Sequence, residues 1–214
     1  MKYLGVMMKK TSVVAAMLLA SSTAFAAGSD LVTNGSFESN QLSNGTWSLF
    51  TSLTGWTVSG GDGKVELRNN VAGSAQDGVM YAELDGNTNV SISQTLATTI
   101  GQVYTLSFWY SSRVNVALSS QGIQWDVGSL TGSVDTSGAV NTTGNNVWQN
   151  FTTTFVANSL STTLSFAAIG KSDSLGTSLD NVSVKAASVP EPSSYALMGA
   201  GLLMLGAMKR RRSS

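Results

Sequence analysis

The sequence contains no cysteine and no histidine, only two prolines, and charged residues at 11% of its 214 positions. Without imidazole or thiolate it can build no Ser-His-Asp triad, cysteine nucleophile, zinc finger or axial haem histidine. A disulfide framework is excluded as well. Stability therefore rests on burial, and the one remaining kind of staple is a hard metal held by oxygen ligands. The formal net charge of zero conceals a segregation. Seven of the twelve cations lie at the ends: Lys2, Lys9, Lys10 and Lys209 to Arg212. Between Ala27 and Val189 stand five cations and eleven acids, a net charge of −6. A nucleic-acid partner demands the opposite sign and basic clusters, so that class is excluded.

The two ends carry addresses. Lys9-Lys10, the apolar stretch Val13 to Ala20 and the small-x-small site Ala24-Phe25-Ala26 have the order of a secretory signal peptide. This reading assigns residues 1–26 to the signal and starts the mature chain at Ala27. At the other end Val189-Pro190-Glu191-Pro192 precedes the mostly apolar run Tyr195 to Met208, and Lys209-Arg210-Arg211-Arg212 follows. Both prolines of the chain fall here, where they favour an extended, accessible linker. The apolar run is short for a hydrocarbon core of about 30 Å, but snorkelling arginines let it serve as a transmembrane helix in a thinned bilayer. The arginine cluster then stays on the cytoplasmic side and the intervening domain lies outside.

The tail, residues 189–214, resembles the PEP-CTERM sorting signal: Pro190-Glu191-Pro192, a hydrophobic helix, and Arg210, Arg211 and Arg212, in that order. The resemblance implies a membrane transpeptidase, exosortase, as the partner that reads the motif and removes the tail. It also implies a Gram-negative, biofilm-forming host and a final place in the envelope, at the cell surface or in the extracellular matrix.

Residues 27–188 read as one all-β domain. The segment is rich in Ser, Thr, Asn, Gly and Val, and period-two alternation recurs in it. Tyr104, Leu106, Phe108 and Tyr110 share one face, with Ser107 and Trp109 on the other. Met80, Ala82 and Leu84 alternate with Tyr81, Glu83 and Asp85. Similar sets occur at 90–93, 123–127, 151–155, 164–168 and 181–184. Turn signals such as Asn34-Gly35, Gly60-Gly61-Asp62-Gly63 and Asp85-Gly86 separate the runs. The pattern predicts an antiparallel β-sandwich of the jelly-roll type, with Ser129 to Asn146 as a long exposed loop or edge hairpin.

Asn34-Gly35-Ser36-Phe37-Glu38, Gly55-Trp56, Gly101 to Phe108 and Leu179-Asp180-Asn181-Val182 together resemble the galactose-binding-like jelly rolls. These include carbohydrate-binding modules and a plant cell-wall family of unknown-function domains. The resemblance implies a structural Ca²⁺ tying the first strand to the last, with Glu38 and Asp180 at the matching positions. Asn181 stands where many relatives carry a second Asp, which weakens such an ion.

A sugar site needs an aromatic face and polar groups for hydroxyls. The alternation turns Trp109 outward, in phase with Arg113, and makes a second outward row of Tyr81, Glu83 and Asp85. These five residues are the sequence candidates for carbohydrate binding. Trp56, Trp125 and Trp148 read as packing. Glu66, Glu83, Asp126 and Asp173 supply carboxylates, but no spacing selects a hydrolytic pair, and the chain reads as a non-enzyme. Two functions follow: a non-catalytic polysaccharide-binding module of the biofilm matrix, or a structural matrix or adhesion protein without a defined glycan site.

Overall fold

The computed structural model describes residues 28–135, 138–187 and 198–203. The body is an antiparallel β-sandwich, as the alternation predicts. Its strands are β1 (Thr46–Phe50), β2 (Thr57–Ser59), β3 (Val65–Asn69), β4 (Met80–Glu83), β5 (Ser91–Ala97), β6 (Val103–Ser111), β7 (Ile123–Val127), β8 (Leu130–Val134), β9 (Gln149–Val156), β10 (Ser161–Ala168) and β11 (Ser178–Ala186). One sheet runs β1-β3-β4-β11-β6-β9 and the other β2-β5-β10-β7-β8. Sequence-distant strands are therefore neighbours in both, as in a jelly roll.

The core lies between the inner faces. Leu67, Met80, Ala82, Leu106, Phe108, Leu179 and Val184 come from the first sheet; Ile92, Leu96, Ile123, Leu164 and Phe166 come from the second. Phe108 joins the two sheets, edge-on to Phe166 at 4.9 Å and beside Phe151 at 5.0 Å. Trp56 and Trp125 belong to the same core. Truncating an aromatic at such a position typically costs about 3–5 kcal/mol.

β11 keeps both Leu179 and Val182 in the core although they are an odd number of residues apart. A bulge between Asp180 and Ser183 resets the phase, with Asn181 at φ 46°. Gly35 lies directly over this bulge: a Cβ there would collide with the Val182 carbonyl, and the Val182 N–H donates to the Gly35 carbonyl at 3.0 Å. The Asn-Gly of the first motif and the Asp-Asn of the last are thus two halves of one packing feature.

The segment from Ser129 begins inside the tight β7–β8 turn, and β8 is an edge strand of the second sheet. The hairpin form of that expectation holds for its first part. Residues 138–148 then run as irregular chain across to β9.

Candidate functional site

The outer face of the six-stranded sheet positions the polar chemistry. Antiparallel partners project to the same side, so the pairing aligns Trp47 with Arg68 and Arg68 with Tyr81. A second row aligns Leu49 with Glu66, Glu66 with Glu83, and Glu83 with Ser178. β3 and β4 are buried along their whole length, so their outer side chains are covered too.

What is covered is an ion-pair chain. Arg68 Nε donates to Glu66 Oε1 at 2.5 Å, and Arg68 Nη2 pairs with Glu83 Oε2. Arg113 Nη1 lies 3.3 Å from Glu83 Oε1 and donates to the Ser174 carbonyl at 2.8 Å. The Gly176 N–H completes the shell of Glu83 at 2.5 Å. Burial pushes the Glu83 carboxyl up to about 7, against the downward pull of Arg68 and then Arg113. Arg68 Nη1 is buried with no partner among the described residues, so its N–H groups are left unspent.

Beside this chain opens a cleft of about 320 Å³. The buried Glu66 and Arg68 form its base. Arg113, Asn87, Ser174 and Val71 line it, together with the bare backbone of Gly86. A Cβ on Gly86 would approach Leu49 Cδ2 to 2.7 Å and Glu66 Cβ to 3.0 Å. Trp47 stands on the rim, 54% exposed. An exposed indole beside guanidinium and amide donors is the residue set that stacks on a sugar ring and binds its hydroxyls.

The sequence candidates divide against this geometry. Arg113 and Glu83 do meet, and Arg113 lines the cleft. The predicted outward row is corrected: Tyr81, Glu83 and Asp85 are buried, at 0%, 0% and 1% exposure. They point away from the core as the alternation requires, but loops close over them. The Tyr81 hydroxyl donates to the Val71 carbonyl, and its ring meets Trp148 edge-on at 5.8 Å. Trp148 in turn donates to the Ser74 carbonyl at 3.0 Å. Asp85 Oδ2 accepts the N–H groups of Asp173 and Ser174 at 3.0 Å each. Trp109 is on the outer face, opposite Asp180 and Asn150, half-buried and outside the cleft lining.

The proposed Ca²⁺ ligands hold backbone donors. Glu38 Oε1 accepts the N–H groups of Val79 and Met80, both at 2.7 Å. Asp180 Oδ2 accepts those of Gln76 at 2.8 Å and Asp77 at 3.0 Å, and its Oδ1 accepts that of Asn181 at 2.7 Å. Among the described residues no three acidic, histidine or cysteine side chains gather to hold a metal. Donors of this kind favour a carboxylate without any ion, so the two residues do not fit a cation cradle as they stand. They clamp the segment 76–80 from both sides, which is the strand-joining work the ion was expected to perform.

A family model described as "Protein of unknown function (DUF642)" matches residues 30–185. The chain belongs to the DUF642 family. The PEP-CTERM protein-sorting motif matches residues 188–212, which marks the DUF642 domain as an exported, cell-surface one. No curated protein matches the chain. Among solved structures, a Stig cyclase from Fischerella sp. TAU has a TM-score of 0.55 at 16% identity, covering 77% of this chain and 100% of its own. The carbohydrate-binding module TmCBM61, solved with β-1,4-galactotriose, has a TM-score of 0.51 at 18% identity, covering 74% and 99%. At these identities both show the fold: the DUF642 domain is built like a carbohydrate-binding module.

The sorting residues Pro190, Glu191, Pro192, Arg210, Arg211 and Arg212 lie outside the described residues, as do Ala24, Ala26 and Ala27. Residues 198–203, within the apolar run, are helical. Among the described residues no helix is long and apolar enough to cross a membrane.

Trp47 and Arg68 are the residues that sequence reasoning missed. For Arg68 the signal was present: Val65-Glu66-Leu67-Arg68 alternates apolar and charged between two turn sequences. It marks a strand whose polar side carries paired opposite charges.

Proposed function

We propose that the DUF642 domain of this protein is a non-catalytic polysaccharide-binding module that works in the exopolysaccharide matrix of a Gram-negative biofilm. The observation that carries this reading is the cleft between Trp47 and Arg113. Trp47 is exposed on a rigid strand, next to guanidinium and amide donors that are already held in place by Glu66, Glu83 and Asp62. Preorganised donors beside an apolar ring suit a pyranose, which offers a C–H face and a rim of hydroxyls. That TmCBM61, of similar fold, was solved with a galactotriose supports the ligand class.

The carboxylates favour binding over hydrolysis. A glycosidase needs two of them flanking the bond. Among the residues lining the cleft Glu66 is the single acid, and it is tied to Arg68. Glu83 is sealed beneath it.

In this reading the signal peptide exports the chain and the tail holds it in the membrane as a transient transmembrane helix. An exosortase then reads Pro190-Glu191-Pro192 and removes the tail. The test is an array of glycans and bacterial exopolysaccharides probed with the wild-type chain and Arg113→Ala. Saturable binding that weakens in the variant supports the module. A folded protein that ignores every glycan and self-associates supports the structural matrix role instead.

A further inference from the structure

The sandwich has two unlike poles. β11 starts at the cleft, where Ser178 pairs with Glu83, and ends at Ala186, opposite Tyr104 at the start of β6. Nine residues of strand separate the ends by about 26 Å. At the far pole Ala187 donates to the Val103 carbonyl at 2.9 Å, and from there the chain runs into the sorting tail. Gly28, the first described residue, packs beside Ala186, so the described chain begins at this pole as well.

Two loops form the tip of that pole: 98–102 between β5 and β6, and 157–160 between β9 and β10. They are bound to each other by Thr98 N–H to the Leu160 carbonyl at 3.0 Å, Gly101 N–H to the Ala157 carbonyl at 2.8 Å, and the Thr98 hydroxyl to the Ser159 carbonyl at 2.8 Å. These bonds tie the tip together, and neither loop carries a charged residue. The tip nevertheless presents Ile100 at 62%, Leu160 at 70% and Val156 at 61% exposure. Single exposed apolar residues are ordinary, but three around one uncharged tip form a patch.

The length of the tail says what faces the patch. Only seven residues, eight Cα steps, separate Ala187 from Tyr195, where the apolar run begins. Fully extended they reach about 28 Å. Whenever the run is in a bilayer, this pole is held within that distance of the lipid surface, and the effective concentration of lipid at the tip is high. We infer that the Ile100–Leu160 tip docks into the outer lipid surface of the membrane that holds the tail, and that it thereby turns the cleft outward. Docking also places Pro190, three residues from Ala187 and so within about 10 Å of the pole, at the membrane surface where a membrane enzyme can reach it. Uncharged apolar loop tips suit this role because they enter the interfacial layer without desolvating a charge. The inference rests on the tail being membrane-held, as in the proposed function, but not on any glycan being bound.

The absence of cysteine makes the test direct. The chain from Ala27 to Ser214 is labelled with an environment-sensitive fluorophore at Ile100→Cys, at Leu160→Cys and, as the opposite-pole reference, at Asn87→Cys. It is reconstituted into vesicles of phosphatidylethanolamine and phosphatidylglycerol and floated on a density gradient. The expected result is blue-shifted emission at 100 and 160, quenched by lipid-borne quenchers, with position 87 remaining aqueous. Floating protein whose labels at 100 and 160 read as aqueous as 87 overturns the docking and leaves the membrane-held tail standing. Protein that does not float overturns both.

Discussion

Trp47 stands directly opposite Arg68 in the β1–β3 pairing, yet one is 54% exposed and the other 2%. The contrast describes the site: a guanidinium sealed into an ion-pair chain, and beside it an indole left open at the edge of the sheet. β1 is an edge strand, and Trp47 lies near its start, beyond the cover that the Gly86 loop gives Leu49. On β3 and β4, further into the same sheet, the outer side chains are buried.

The ion-pair chain makes Arg68 a structural keystone. Replacing it with methionine removes the shared partner of Glu66 and Glu83 and leaves both carboxylates buried. At pH 8 Arg68→Met is expected to lower unfolding stability by about 3–5 kcal/mol, read from urea denaturation. The triple variant with Glu66→Gln and Glu83→Gln is expected to recover part of the loss. A single variant with wild-type stability contradicts the arrangement.

Stability should fall as pH rises toward neutrality. Glu83 and Asp180 are both raised to about 7, by burial first, from ordinary values of 4.5 and 3.8. Between those limits the folded chain binds more protons than the unfolded one. The stabilisation is complete below the ordinary values and is lost as pH climbs through 7. The urea midpoint is therefore expected to be higher at pH 5 than at pH 8, and Glu83→Gln with Asp180→Asn is expected to flatten the difference. A midpoint that rises from pH 5 to pH 8 contradicts the burial of these two groups.

Calcium is expected to matter little. Glu38 and Asp180 already accept five backbone N–H groups between them. Thermal melting in excess Ca²⁺ and in excess chelator should coincide within a degree or two. A fall of many degrees in chelator restores the ion to the Glu38–Asp180 region and makes the N–H clamp the description of an ion-free state.

Much of the fold was legible because β-alternation reports which face is buried. Tyr104, Leu106 and Phe108 went to the core as their spacing required, and Trp109 went to the other side. Alternation gives the side of the sheet and says nothing of what lies over it. Tyr81, Glu83 and Asp85 took the predicted side and disappeared under the loops that carry Ser74, Trp148 and Ser174. Arg113 was legible because it continues the outward phase of Trp109, and the structure places it past the end of β6, where the cleft begins. Trp47 was not, because Thr46-Trp47-Ser48-Leu49 alternates with Trp47 and Leu49 as the apolar set, the pattern of a core face, whereas the register puts both on the outer side with Arg68 and Glu66. The Asn-Gly-x-Phe-Glu and Leu-Asp-Asn-Val motifs were visible from the start. Their role in gripping the β11 bulge and the segment 76–80 required the register.

The central claim is that the cleft at Trp47 binds polysaccharide. Calorimetric titration of the best array ligand into wild type, Trp47→Ala and Trp109→Ala tests it most directly. The account predicts at least a ten-fold loss of affinity in Trp47→Ala, little change in Trp109→Ala, and a stability for Trp47→Ala within about 0.5 kcal/mol of wild type, as expected for an exposed position. Undiminished binding by a folded Trp47→Ala, or binding lost only in Trp109→Ala, contradicts it and moves the site across the sheet.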